Sequence, residues 1–111
     1  MNDSTPLGTF EEQVMLAVLR TGEEAYGMNV RRELESVTGR DVAIGAVYAT
    51  LDRLEAKGLV SSGRSGAGTA SRRFFAVTAP GARALDESRI MRERLWEGVD
   101  LRRLLALPGV S

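Results

Sequence analysis

The 111-residue chain contains no cysteine and no histidine. Without cysteine it has no disulfide, no thiolate metal site and no cysteine nucleophile. Without histidine it also lacks the commonest general base and the commonest zinc ligand. These absences exclude most hydrolase and metalloenzyme sites. We therefore predict no metal, no cofactor and no catalytic residue, and we do not expect the chain to be an enzyme.

Long hydrophobic runs are also missing. The longest apolar run, Val14–Leu19, has six residues, whereas about 20 are needed to cross a bilayer. The first ten residues lack the basic region and apolar stretch of a secretory signal. We expect a cytoplasmic protein with no membrane partner.

Two remaining features invite a catalytic or nucleotide-binding interpretation. The carboxylate pairs Glu11–Glu12 and Glu23–Glu24 are sequence neighbours, and neighbours on a helix do not face one another. The segment GRSGAG at 63–68 lacks the phosphate-loop pattern and leads into a strand rather than a helix. We interpret the carboxylates as surface charge and the glycine-rich segment as the flexible tip of a hairpin.

The charges are balanced overall but unevenly distributed. Lysine plus arginine and aspartate plus glutamate each number 15. Residues 1–30 carry one basic and five acidic side chains, whereas residues 31–73 carry eight basic and five acidic ones. Local clusters of cations are sufficient for phosphate contacts even when the net charge is zero. The middle of the chain is therefore the candidate region for binding nucleic acid.

Hydrophobic periodicity and stop signals predict one α+β domain that is mostly helical. The predicted elements are helices at 10–21, 26–37, 44–57 and 79–99 and strands at 59–62 and 72–77, with a further short strand near Asp41–Val42. Thr9 and Glu12 are expected to form a capping box. This order is that of a winged helix-turn-helix followed by a C-terminal helix. We divide the chain into a flexible lead (1–8), a winged-helix DNA-binding domain (9–78) and the C-terminal helix (79–107).

The third predicted helix carries the main functional signal. The face opposite its apolar stripe begins with small side chains, which allows a close approach to the major groove. We predict that residues of this helix lie near the bases, namely Gly45, Ala46, Ala49 and Thr50. Phosphate contacts are assigned to Tyr26, Tyr48 and Arg53, and wing contacts to Arg64, Arg72 and Arg73. Because the groove-facing side chains are small, we expect DNA shape and methyl contacts to carry much of the specificity.

Three blocks of sequence resemble the PadR-type transcriptional regulators of prokaryotes, over about 90 of the 111 residues. The blocks are EEQVMLAVLRTGEEAYGMNVRRELESVTGR (11–40), AIGAVYATLDRLEAKGLV (43–60) and RRFFAVTAPGARAL (72–85). Ala49 departs from the proline that many relatives have after the recognition-helix tyrosine. The short C-terminal helix is similar to that of the compact branch of the family.

The resemblance implies a homodimer in which the C-terminal segment 79–107 is a dimerisation helix, so that the last helix of each subunit packs against the first helix of the other. The all-round apolar segment VMLAVL already indicates a helix that is covered on every side, either within the domain or between two subunits. The expected interface residues are Val14, Met15, Val18, Met91, Leu95, Trp96 and Val99. In some relatives an aromatic residue on the last helix stacks on planar drugs, and Trp96 is the corresponding candidate for a ligand contact.

The sequence thus predicts a sequence-specific DNA-binding regulator, a repressor that acts as a homodimer on an inverted-repeat operator. Two alternatives stay open. One is a ligand-sensing regulator with a small-molecule effector that binds between the C-terminal helices near Trp96. The other is a winged-helix protein-interaction module that does not bind DNA, which the neutral net charge and the acidic first helix favour.

Overall fold

The computed structural model describes residues 7–68 and 71–109, and shows three helices, a hairpin, a long helix and a short one. The elements are α1 (Thr9–Thr21), α2 (Gly27–Thr38), α3 (Ile44–Ala56), β1 (Val60–Ser65), β2 (Arg72–Val77), α4 (Ala79–Trp96) and α5 (Arg102–Leu105), with a 3-10 turn at Gly22–Glu24. This mostly helical arrangement with a small sheet is the predicted winged helix. Residues 1–6 of the predicted flexible lead, and residues 69 and 70 of the hairpin tip, lie outside the described residues.

One apolar core joins the three N-terminal helices to the hairpin and the start of α4. Its buried members are Val14, Met15, Ala17, Val18, Ala25, Val30, Leu34, Val47, Leu51, Leu54, Val60, Phe75 and Leu85. The helical spacing of Val47, Leu51 and Leu54 places these side chains on one face of α3, as predicted. The opposite face of α3 is therefore left to solvent.

Part of the predicted dimer interface is wrong, because three of its residues are buried in the core of a single protomer. Val14, Met15 and Val18 are at most 2% exposed within a single protomer, so they cannot touch a partner while the fold is intact. The other apolar residues of the same helix, Leu16 and Leu19, are 42% and 53% exposed. An amphipathic helix buries one stripe in its own core, and the sequence pattern did not show which residues of VMLAVL form that stripe.

The first turn of α1 is capped one residue earlier than predicted. Gly8, not Thr9, precedes the helix, and its N–H donates a hydrogen bond to Oε1 of Glu11 at 2.9 Å. The predicted pairing of Thr9 with Glu12 is therefore wrong. With Glu11 engaged at the cap, Glu12 is left to pair with Arg92 of α4.

The sheet of the described residues has two strands rather than three. The strands β1 and β2 are antiparallel, with Val60 opposite Val77 and Ser65 opposite Arg72. The predicted strand near Asp41–Val42 is absent because the N–H of Val42 donates instead to Oε2 of Glu35, at 2.9 Å. The hairpin gains a different neighbour, an isolated antiparallel bridge between Tyr26 and Phe74.

Helix α4 starts against the hairpin and then leaves the core. The hydroxyl of Thr78 accepts a hydrogen bond from the N–H of Gly81 at 3.1 Å and so caps the helix, as predicted. The helix ends at Trp96, not at Val99, because the chain turns at Gly98 with a φ of 78°. Every residue from 89 to 109 is exposed. None of the helices within the described ranges is long and apolar enough to cross a membrane.

Candidate nucleic-acid interface

The N-terminal half of α3 presents a surface with almost no side chains. Gly45, Ala46 and Ala49 are all exposed, and a Cβ atom built on Gly45 would meet nothing within 4 Å. The helix backbone is therefore accessible along its first two turns, as the sequence predicted. A helix surface of this shape permits a close approach of the backbone to the floor of a major groove.

Thr50 does not belong to this surface. The residue is 2% exposed, and its hydroxyl accepts a hydrogen bond from Nη2 of Arg53 at 3.3 Å. The predicted contact of Thr50 with a base is therefore corrected, since the side chain faces the core. The buried face of α3 is therefore wider than the apolar periodicity of the sequence suggested.

Tyr48 is positioned by the start of α2. A Cβ atom added to Gly27 would lie 2.3 Å from Cζ and the hydroxyl oxygen of Tyr48, so the aromatic ring occupies the space that a side chain at 27 would need. The other side of the ring contacts Phe75, with the ring centroids 6.4 Å apart. The phenol of α3 is thereby held beside the N-terminus of α2.

Tyr26 joins the start of α2 to the hairpin. Its hydroxyl lies 3.0 Å from Oγ of Ser65, and its ring meets Phe74 edge to face with centroids 6.5 Å apart. The guanidinium of Arg72 lies over the same ring, 3.8 Å from its centroid. Among the residues that the structure describes, Arg72 is thus oriented by an aromatic face and pairs with no carboxylate.

These side chains border a basic cleft of about 410 Å³ between α2, α3 and the hairpin. Its lining residues are Tyr26, Met28, Tyr48, Arg64, Ser71, Arg72 and Arg73. Arg64 is exposed and donates a hydrogen bond from Nη1 to Oγ of Ser71 at 3.3 Å. Three arginines and two tyrosines therefore converge beside the bare end of α3.

Arg53, by contrast, has an acidic partner inside the protein. Its Nε lies 3.7 Å from Oε2 of Glu11, although the side chain is 57% exposed. A phosphate contact by Arg53 would therefore compete with this ion pair.

Arg73 is held more firmly. Its Nη2 lies 2.7 Å from Oε1 of Glu55 and 2.9 Å from Oδ1 of Asp52. Burial opposes the charge, but hydrogen bonds to Asp52 and Glu55 outweigh it and raise the pKa of Arg73. Its neighbour Arg72 faces the other side of the hairpin, since alternate residues of a strand point to opposite faces.

Sequence reasoning missed the acidic residues that fix these cations. Glu11 pairs with Lys57 and Arg53, and Glu55 pairs with Arg73 and also accepts a hydrogen bond from the Ser62 hydroxyl at 2.7 Å. The only sequence signal for the latter was the spacing of Asp52 and Glu55, three residues apart on the third helix.

The C-terminal part of α4 exposes an apolar stripe. The predicted dimer residues that lie on it or just beyond it are Met91, Leu95, Trp96 and Val99, which are 46%, 71%, 56% and 51% exposed. The ion pair between Arg92 and Glu12 brings α4 to the face of α1 on which Leu16 also lies, one turn further along. Within residues 7–68 and 71–109, no cluster of acidic side chains is arranged to hold a metal ion.

Comparison with known proteins places this geometry in a family. Residues 15–87, more than half of the chain, match the model of the "Transcriptional regulator PadR-like family". A search of curated proteins gave no match.

Similar solved structures include a PadR family transcriptional regulator from Eggerthella lenta, 29% identical, with a TM-score of 0.65 over 84% of this chain and 80% of that one. A PadR-like transcription factor from Bacteroides fragilis is 28% identical, with a TM-score of 0.71 over 83% and 87% of the two chains. RosR of H. salinarum is 29% identical, with a TM-score of 0.65 over 91% and 87%.

Proposed function

The chain belongs to the PadR-like transcriptional regulator family, and we propose that it is a repressor that binds an inverted-repeat operator as a homodimer. Membership of this family makes it a transcriptional regulator and not an enzyme. It also accounts for the winged helix-turn-helix, a fold that presents one helix to the major groove.

The observation that carries the proposal is the bare end of α3 beside the basic cleft. The major groove of B-DNA is about 12 Å wide and admits one α-helix. With Ala46 and Ala49 at the floor of the groove, the basic cleft beside α3 would meet the phosphate backbone, and Arg64 and Arg72 line this cleft. Tyr48 adds a phenolic hydroxyl beside the N-terminus of α2, whose free N–H groups also favour an anion. Tyr26 adds a second hydroxyl at the hairpin, beside Ser65.

Specificity in this arrangement comes from shape and methyl contacts. Glycine and alanine offer no bidentate hydrogen bonds to base edges, whereas the alanine methyl groups pack against thymine methyl groups. Sequence-dependent groove width supplies the remaining discrimination. A base-by-base operator scan that found strong arginine-to-guanine dependence at several positions would contradict this mode of recognition.

The dimer is proposed to form through α4 and the exposed face of α1. The apolar stripe of Met91, Leu95 and Trp96 faces solvent in the protomer, as do Leu16 and Leu19, and exposed apolar surface of this extent marks an interface. A two-fold dimer reads an inverted repeat, with half-sites separated by about 34 Å, one turn of DNA, or a multiple of it.

A planar aromatic effector near Trp96 is the second candidate. The indole is 56% exposed at the proposed dimer seam, where a flat ligand would gain stacking contacts from both subunits. Quenching of the fluorescence of the single tryptophan by planar aromatic compounds tests it, and unchanged fluorescence would contradict it.

The test of the proposed function is fluorescence anisotropy of labelled duplexes titrated with the purified protein at several salt concentrations. One duplex carries the DNA upstream of the protein's own gene, and a second carries the same bases scrambled. The proposal predicts tight binding of one dimer to the first duplex only. The absence of binding to either duplex at low salt would favour the protein-interaction module instead.

A further inference from the structure

One carboxylate of the recognition helix α3 bonds to both strands of the hairpin. Oε2 of Glu55 accepts a hydrogen bond from the hydroxyl of Ser62 on β1, and Oε1 accepts one from Nη2 of Arg73 on β2, both at 2.7 Å. Both strands of the hairpin are therefore bonded to the last full turn of α3. Asp52, one turn earlier, holds the same Arg73 nitrogen at 2.9 Å.

The strand register explains why this attachment is needed. Arg73 lies directly opposite Arg64 in the β1–β2 ladder, and two like charges in that position repel each other. The carboxylates of Glu55 and Asp52 neutralise Arg73 from the side of α3. The guanidinium of Arg73 also packs over the ring of Phe75, 4.8 Å from its centroid, so it is held from two sides.

We propose that Glu55 is a positioning residue for DNA recognition, because its bonds to Ser62 and Arg73 fix the wing relative to the recognition helix. Arg73 is then an internal strut rather than a phosphate ligand, and Arg64 and Arg72 carry the DNA contacts of the wing. The inference rests on the proposed function. It assigns a role in binding to a side chain whose negative charge, by itself, disfavours DNA.

Removing the charge of Glu55 tests the proposal, because its repulsion of DNA and its positioning of the wing predict opposite changes in binding. Glu55→Gln keeps the shape of the side chain and removes one negative charge per subunit from the DNA-binding face. Simple electrostatics predicts tighter binding, whereas the positioning role predicts weaker binding, by about tenfold, because a neutral amide bonds to Arg73 less strongly than the carboxylate does. The probe is a duplex selected from a random library by the wild-type chain, and Glu87→Gln on α4 is the matched control.

A double-mutant cycle with Arg73→Gln identifies the partner. If Arg73 acts through Glu55, the double variant binds no more weakly than either single variant, and the salt dependence of binding keeps its slope. If Arg73 contacts a phosphate, its loss weakens binding by the same factor in both backgrounds and flattens the slope. That second result would overturn the inference.

Hydrogen exchange of the free protein supplies a readout that does not involve DNA. Glu55→Gln should accelerate exchange of the hairpin amides and leave those of α1 and α2 unchanged, and unchanged hairpin exchange would overturn the inference. A wild-type chain that selects no duplex would defeat the proposed function. A wild-type chain that binds, together with a Glu55→Gln variant that binds equally well or better, would defeat this inference alone.

Discussion

Oε2 of Glu11 lies 3.0 Å from the ammonium nitrogen of Lys57, and this ion pair joins the first turn of α1 to the residue that follows the last residue of α3. The same carboxylate caps α1 through the N–H of Gly8. Glu11 is only 9% exposed, so the bonds to Gly8 and Lys57 satisfy a carboxylate that water barely reaches. The orientation of the recognition helix α3 therefore depends on Glu11, which precedes Lys57 by 46 positions in the sequence.

Replacing Glu11 by glutamine should destabilise the protein by about 1–3 kcal/mol near neutral pH, because a largely buried charged hydrogen-bonding group is lost. Burial opposes the ionisation of Glu11, but its bonds to Gly8 and Lys57 outweigh it and lower its pKa below the ordinary 4.5. The stabilisation is therefore complete above pH 4.5 and is lost as the pH falls through the lowered value.

Thermal unfolding of the wild type and of Glu11→Gln, from neutral pH to below pH 4.5, measures the stabilisation that ionised Glu11 provides. The difference between the two melting temperatures should shrink as the solution is acidified. The exposed Glu23→Gln serves as the control and should follow the wild type. A constant difference at every pH would contradict the assigned pKa of Glu11.

Alanine at Gly81 should be far more disruptive than alanine at Gly27. A Cβ atom at 81 would lie 2.1 Å from the backbone oxygen of Leu59, which cannot move alone, whereas at 27 it meets the rotatable ring of Tyr48. We expect a loss of about 2 kcal/mol or more for Gly81→Ala. Gly45→Ala, in open space within a helix, should stabilise by about 0.5–1 kcal/mol. Chemical denaturation checks the order, and equal losses at 81 and 27 would contradict it.

Glycine at the helix ends also explains why the helices were predictable. Gly22, Gly39 and Gly58 each have a positive φ directly after or one residue beyond a helix, and their positions in the sequence set the stops to within a residue or two. The strand Arg72–Val77 was predicted with its observed bounds. The ends of these helices and of this strand are determined by adjacent residues, so they can be predicted without the tertiary structure.

The pairing of side chains across the fold was not predictable in this way. Thr50 and Ala49 are neighbours on α3, yet one is buried and the other exposed, because the width of the apolar face is decided by what packs on it. Likewise, Arg72 and Arg73 are indistinguishable as sequence letters. Only the strand register and the position of Glu55 show that one faces Tyr26 and the other faces α3.

Arg72→Ala should weaken DNA binding and flatten its salt dependence. Each phosphate contact contributes about 0.9 to the slope of log K against log salt, so loss of Arg72 from both subunits should reduce the slope by about 2. Anisotropy titrations at several salt concentrations measure it. Arg89→Ala on α4, where the arginine pairs with Asp86, is the control, and an unchanged slope for Arg72→Ala would place the wing off the DNA.

Leu95→Glu should shift the proposed dimer toward monomer. The leucine is 71% exposed in the protomer, so the substitution leaves the folded subunit intact but places a charge in an apolar seam. Sedimentation equilibrium measures the change in association. Ala56→Glu, at an exposed position on α3 outside the proposed interface, is the control, and equal association of the two variants would argue against the α4 interface.

A charged side chain on the bare face of α3 tests directly whether this helix enters the major groove. Ala49→Glu should reduce operator binding by at least about a hundredfold, because a carboxylate in the major groove meets the phosphate field and base acceptors. Ala56→Glu lies on the same face two turns later, outside the proposed groove contact, and should have a much smaller effect. Anisotropy with the operator duplex, alongside circular dichroism to verify folding, decides between the outcomes. A folded Ala49→Glu variant that binds DNA as tightly as the wild type would contradict the placement of α3 in the groove.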